Sequence, residues 1–181
     1  SDYRLRYEKN DNLKITQAVA AYLADKENIQ VIMTRSDDTF LSLEERTSFA
    51  NQNNADYFVS LHRNTGEGNG VETWIRSDAD DKTQALAKNI MDNLDAAGIS
   101  RNRGVKKGTQ KSESKDYYVN LHTNMPACIV ELGFMNSPTD NQLFDANVEN
   151  YAKAIGDAVL KTYEAYGKDG ACLLYTSPSP R

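Results

Sequence analysis

Residues 55–64 read ADYFVSLHRN, and residues 126–134 read PACIVELGF. Tyr57 to Leu61 and Ala127 to Leu132 are short, almost purely apolar runs, too short for a helix of ordinary length and rich in β-branched and aromatic residues, so each reads as a buried strand. Around them the period changes again and again. Leu13, Ile15, Ala18, Val19, Tyr22 and Leu23 recur at helical spacing between Asp11 and Asp25, and Ile29 to Met33 follows as a strand. Ser42 with Glu45 three residues on is a capping box, which opens a helix running to about Asn53. Val71 to Ile75 is strand-like. Residues 80–97 carry Ala85, Leu86, Ile90 and Leu94 on one helical face and stop at Gly98. Residues 101–111 read as a polar, solvated loop and Tyr117 to Val119 as a further short strand; Ser137 and Pro138 then cap a last helix through Val148, Ile155, Val159 and Tyr163. Strands alternating with helices predict an α/β domain with a mixed, mostly parallel central sheet covered by helices on both faces.

Composition narrows the function. The chain has 181 residues, 39% of them apolar, and a net charge of −5, enough for one sizeable core and repulsive to nucleic-acid phosphates. Arg101, Arg103, Lys106, Lys107 and Lys111 form its densest basic stretch, but without interleaved aromatics. No apolar run approaches the roughly 18 residues that cross a bilayer, so neither nucleic acid nor membrane is expected as a partner, and a monomer is. Cys128 and Cys172 make no metal or disulfide pattern, and Cys128 reads as a core residue. Neither a G-x-G-x-x-G nor a G-x-x-x-x-G-K-S/T segment is present, which sets a nucleotide-binding domain aside.

Only two histidines occur, His62 and His122. His62 stands at the carboxyl end of a strand, where open α/β sheets place their ligands, and reads either as a loop histidine or as a ligand. Glu131 sits between Val130 and Leu132. A charge inside an apolar strand demands compensation by a cation, a metal or a bound proton, unless the residue merely faces solvent at a sheet edge. Glu8 precedes a helix, a position favoured by the helix dipole alone.

In chain order, the blocks E-K-N-D-N-L, V-I-M-T-R-S-D-D, L-E-E-R-T-S-F-A-N, A-D-Y-F-V-S-L-H-R-N, G-V-E-T-W and M-P-A-C-I-V-E-L-G-F-M-N-S resemble those of the zinc-dependent N-acetylmuramoyl-L-alanine amidases, type 3, over Tyr7 to about Tyr166. The resemblance implies hydrolysis of the amide between N-acetylmuramic acid and L-alanine in peptidoglycan, with Zn2+ held by two histidines and a glutamate. Carried over by motif, Glu8 is the zinc carboxylate, His62 one zinc histidine and Glu131 the catalytic glutamate, and His122 falls in a segment near the substrate cleft; Arg63, Asn64 and the loop from Arg101 to Lys111 are expected on the substrate side, in contact with the carboxylates of the peptide stem. It further implies a secreted or cell-wall enzyme, or a phage-encoded one released at lysis. The third zinc ligand, the family's first histidine in a D-x-G-H-G-G segment, belongs upstream of Ser1 and has no counterpart here, and no strand precedes the first helix. Residues 1–167 are therefore expected to be a catalytic domain incomplete at its N-terminus, with the sheet's first strand missing and activity impaired. The alternative is an inactive peptidoglycan-binding module of the same fold. The tail A-C-L-L-Y-T-S-P-S-P-R resembles a translated sequencing adapter, so residues 168–181 are expected to be the start of a linker and a non-native tail outside the fold.

Overall fold

The computed structural model describes residues 6–167 and, as backbone, 172–178. Eleven elements follow one another: α1 (Glu8–Leu23), β1 (Ile29–Met33), α2 (Leu43–Gln52), β2 (Tyr57–Asn64), β3 (Val71–Ile75), α3 (Asp81–Ala96), β4 (Asn102–Lys107), α4 (Tyr118–His122), β5 (Ala127–Phe134), α5 (Pro138–Tyr166) and β6 (Cys172–Pro178). Their strands form one sheet in the order β1-β6-β2-β5-β3-β4. All neighbours run parallel except β3 and β5, so the sheet is mixed and mostly parallel, as the alternation of elements predicts.

Side chains alternate across each strand, and this sorts the core into two faces. Tyr57, Val59, Leu61, Cys128, Val130 and Leu132 pack against α1, α3 and α5 in the main core. Phe58, Trp74, Ala127 and Ile129 face the other way, under Ala50 of α2 and Val119 of α4. Helices thus cover both faces, but the second cover is small, and it leaves part of the sheet facing a cavity.

Local chemistry explains the boundaries. Both halves of the capping box form at α2: Glu45 N donates to Ser42 Oγ at 3.1 Å, and Ser42 N to Glu45 Oε2 at 2.7 Å. Asp80 caps α3 through Thr83 N at 2.8 Å. Ser137 caps α5, with Pro138 at the first helical position, where its missing N–H costs nothing. Cys128 is fully buried, and burial pushes its thiol pKa up to about 12.

Four segments depart from the sequence-based expectations. Tyr118–His122 is one helical turn, closed by Leu121 N donating to Tyr117 O at 3.0 Å, where a strand over Tyr117 to Val119 is expected. The stretch expected as a solvated loop is in large part the edge strand β4; its lysines suit an edge, where charge deters pairing with other chains. Glu8 is the first residue of α1 rather than a residue before it. The tail is also inside the fold. Cys172–Pro178 runs as β6 between β1 and β2, pairing Val31 with Leu174 and Phe58 with Tyr175. A slot flanked by two parallel strands presents backbone donors and acceptors on both sides, and any extended segment can satisfy them whatever its side-chain pattern. The remaining tail residues, 168–171 and 179–181, lie outside the described ones. So do Ser1 and residues 2–5, the stretch next to which the absent first strand is expected.

Candidate active site at the carboxyl ends of the central strands

Ser60 and His62 share the face of Phe58, and Glu131 shares the face of Ile129. The register of β2 and β5 sets His62 beside Glu131, and that of β5 and β3 sets Glu131 beside Glu72. Three ionisable side chains therefore stand in a row across the middle of the sheet. His62 is 6%, Glu131 1% and Glu72 2% exposed, and burying such groups without purpose is costly.

Glu8 reaches this row from the amino end of α1. Its Oε1 lies 2.9 Å from His62 Nδ1 and also accepts from Arg63 N and from Asn12 Nδ2, each at 3.3 Å. On the far side of the ring Ser60 Oγ lies 2.9 Å from His62 Nε2. Imidazole is thus gripped at both nitrogens, and Nδ1 is turned to the carboxylate. A neutral ring nitrogen and a carboxylate oxygen at that distance need a positive centre between them, either a proton or a metal ion. Their separation is also close to the about 3.3 Å between two corners of a tetrahedron with zinc-like bonds of about 2.0 Å. The pair therefore suits two zinc ligands.

The third ligand is a different matter. The resemblance places it, a histidine, before Ser1, and Ser1 itself lies outside the described residues. Among the described residues no set of three His, Cys, Asp or Glu side chains converges on a metal position, so His122 does not complete the pair in its stead. It is exposed at the end of α4 and stacks on Tyr118, with ring centroids 4.0 Å apart.

Above His62 opens a cavity of about 640 Å³ whose walls include Phe40, Arg46, Lys111, Tyr117 and Tyr118. Such a half-open, largely apolar recess next to buried ionisable groups is what a substrate cleft requires. Asn64 does not project into it freely: it is buried, donates to Glu72 Oε1 at 3.2 Å, and accepts from Thr65 N. Arg63 points away altogether. One residue on from His62, it falls on the opposite face and is wholly buried, donating to Asp11 at 2.7 Å and Asn141 at 2.6 Å and lying 4.5 Å over the Phe144 ring. Burial lowers the guanidinium pKa, and Asp11 partly offsets this. Substrate contact by Arg63 is not what the structure shows; it is a strut between α1, β2 and α5.

Glu72 is the residue that sequence reading passed over. Trp74 Nε1 donates to its Oε1 at 3.0 Å and Arg103 Nε to its Oε2 at 2.8 Å. The signal that marks Glu131, a carboxylate inside an apolar strand, marks Glu72 in V-E-T-W-I as well.

Sheet and site together define a layered α/β domain whose buried ionisable groups His62 and Glu131 stand toward the carboxyl ends of the central strands. A family model described as N-acetylmuramoyl-L-alanine amidase matches residues 3–161. The chain is 34% identical over 163 residues to YqiI, an uncharacterized protein of Bacillus subtilis, spanning 88% of this chain and 74% of that protein. With the sporulation-specific N-acetylmuramoyl-L-alanine amidase of the same organism it shares 31% identity over 74% of this chain and only half of the relative. The crystal structure of N-acetylmuramoyl-L-alanine amidase from Clostridium difficile 630 superposes with a TM-score of 0.81 at 32% identity, covering 90% of this chain and 87% of the other. The chain belongs to the N-acetylmuramoyl-L-alanine amidase family, a family of amide hydrolases.

Proposed function

We propose that this domain hydrolyses the amide between the lactyl group of N-acetylmuramic acid and L-alanine in peptidoglycan, with Zn2+ held in part by Glu8 and His62. The observation that carries the reading is the buried row of His62 and Glu131, with Glu8 closing on His62 Nδ1 beneath an open cavity. Zinc, when bound, supplies Lewis acidity that polarises the lactyl carbonyl and acidifies water. Ser60 at Nε2 and Asn12 at Glu8 hold the two ligands in orientation. Glu131 removes the proton from the attacking water and returns it to the departing alanine amine. The apolar walls of the cavity exclude bulk water and strengthen these interactions. The domain works on cell wall outside the cytoplasm, as a monomer, with peptidoglycan as its only macromolecular partner.

The test is release of new alanine amino termini from purified peptidoglycan by the chain extended upstream of Ser1 with a D-x-G-H-G-G strand and supplied with zinc. Release that depends on zinc and is abolished by Glu131→Gln supports the reading. Binding to peptidoglycan without any release would make the domain a binding module instead.

A further inference from the structure

Three lysines run against the acidic character of the chain. Lys106, Lys107 and Lys111 outnumber the single carboxylate, Glu113, in the lining of a second cavity of about 390 Å³ beside Trp74. Among the described residues no ion pair engages any of the three. This cavity shares Thr109, Gln110 and Lys111 with the larger one that reaches His62, so one turn partitions the two. The turn is rigid. Thr109 N donates to Ser112 O at 2.9 Å, Ser112 N to Thr109 O at 3.1 Å, and Gly108 N to Ile75 O at 3.0 Å. Gly108 has φ +80°, and a Cβ there would stand 2.6 Å from Ser112 O, so the tight backbone admits only glycine.

Lys111, on the fixed turn, lines both cavities, and Lys106 stands next to it beside Trp74; ammonium groups so placed at the mouth of the cavity of the reacting groups select a substrate part that carries negative charge. On the muramoyl peptide the sugars are neutral, because the lactyl carboxyl is tied up in the amide; the free carboxylates lie on the peptide. We infer that Lys106, which pairs with Trp74 on the site's face of the sheet, and Lys111 bind a free carboxylate of the peptide stem and so fix the direction in which the substrate lies, peptide toward the β4 edge and sugar toward the exposed rings of Phe40 and Tyr118. This rests on the amidase reading. It adds a specificity that reading does not contain: a stem whose carboxylate is amidated is the poorer ligand.

The experiment measures binding of N-acetylmuramoyl-L-alanyl-D-glutamate and of its counterpart with both glutamate carboxyls amidated to the full chain, by chemical-shift titration at low and high salt. Expected is a preference of about tenfold for the acid, the size that two partly exposed ion pairs supply, shrinking as salt screens it. Lys106→Gln with Lys111→Gln brings the acid down to the amide's affinity. A preference that survives both substitutions, or equal affinities in the parent, overturns the inference while leaving the amidase reading standing. Failure of both compounds to bind overturns both readings. A glycerol-phosphate oligomer that displaces the acid at equal concentration overturns it in favour of a phosphate-binding ledge for other wall polymers.

Discussion

A guanidinium is buried whole only where acceptors surround it, and Arg63 has them in Asp11, Asn141 and the carbonyls of β5. Without it Asp11 keeps Arg6 Nε at 2.6 Å, but the buried acceptors of Asn141 and β5 lose their donor, at roughly 1–3 kcal/mol each. Arg63→Met should therefore lower the unfolding free energy from urea denaturation by an amount of that order, read by circular dichroism; unchanged stability with a weakened substrate affinity would restore the substrate role expected from sequence. Alternation along the strand, which places residue 63 opposite residue 62, was the signal available for this, and the pull of the neighbouring histidine obscured it. His62 and Glu131 were legible because each breaks an apolar run at a strand's carboxyl end. Glu131→Gln should leave zinc content unaltered and reduce alanine release by about 100- to 10,000-fold, the range for a general acid–base group. His62→Ala should instead lower bound zinc, and equal zinc by metal analysis would refute its role as a ligand.

At the scale of elements, the start of α5 ties together the strands that carry the site. Asp140 accepts from Phe134 N at 2.8 Å and Gly70 N at 2.9 Å, and also from Ser100 Oγ, joining the end of β5 to the entries of β3 and β4. Gly133, with φ +87°, makes room for it, since a Cβ there would lie 2.8 Å from Asp140 Cβ. Asp140→Ala strands buried donors at about 1–3 kcal/mol each, so a loss of about 3 kcal/mol in denaturant unfolding is expected. Asp80, the cap of α3, has its carboxyl held below the ordinary 3.8 by Thr83, through side-chain and then backbone hydrogen bonds. Its contribution, about 1 kcal/mol for a cap, is present above that ordinary value and fades as pH falls through the lower folded one. Asp80→Ala should thus destabilise at neutral pH and lose its effect in strong acid; a difference that persists there would show the cap is not the cause. Caps and apolar runs made α2, α3, α5, β1 and the cores of β2 and β5 readable. One-turn α4 is too short to display a period, and β4, charged along a sheet edge, carries no apolar run to detect.

Across the whole molecule, the sheet depends on a strand that nothing in its own residues marks as belonging to it. β1 touches β6 and not β2 in the strand order, so among the described residues Cys172–Pro178 is the strand that links β1 to the central strands. Deleting residues 168–181 should open the edge of β1 and of β2, the strand that bears His62, and promote association of chains through those edges. Size-exclusion chromatography checks this, with a monomer of parental melting temperature as the contrary result. The same arrangement also sets an order of events during synthesis. Residues 29–33 and 57–64 leave the ribosome long before their common neighbour does, and pairing so distant in the chain closes slowly. Contacts that must wait for the far end of the chain are the last to be won in folding and the first to be lost when the fold is strained.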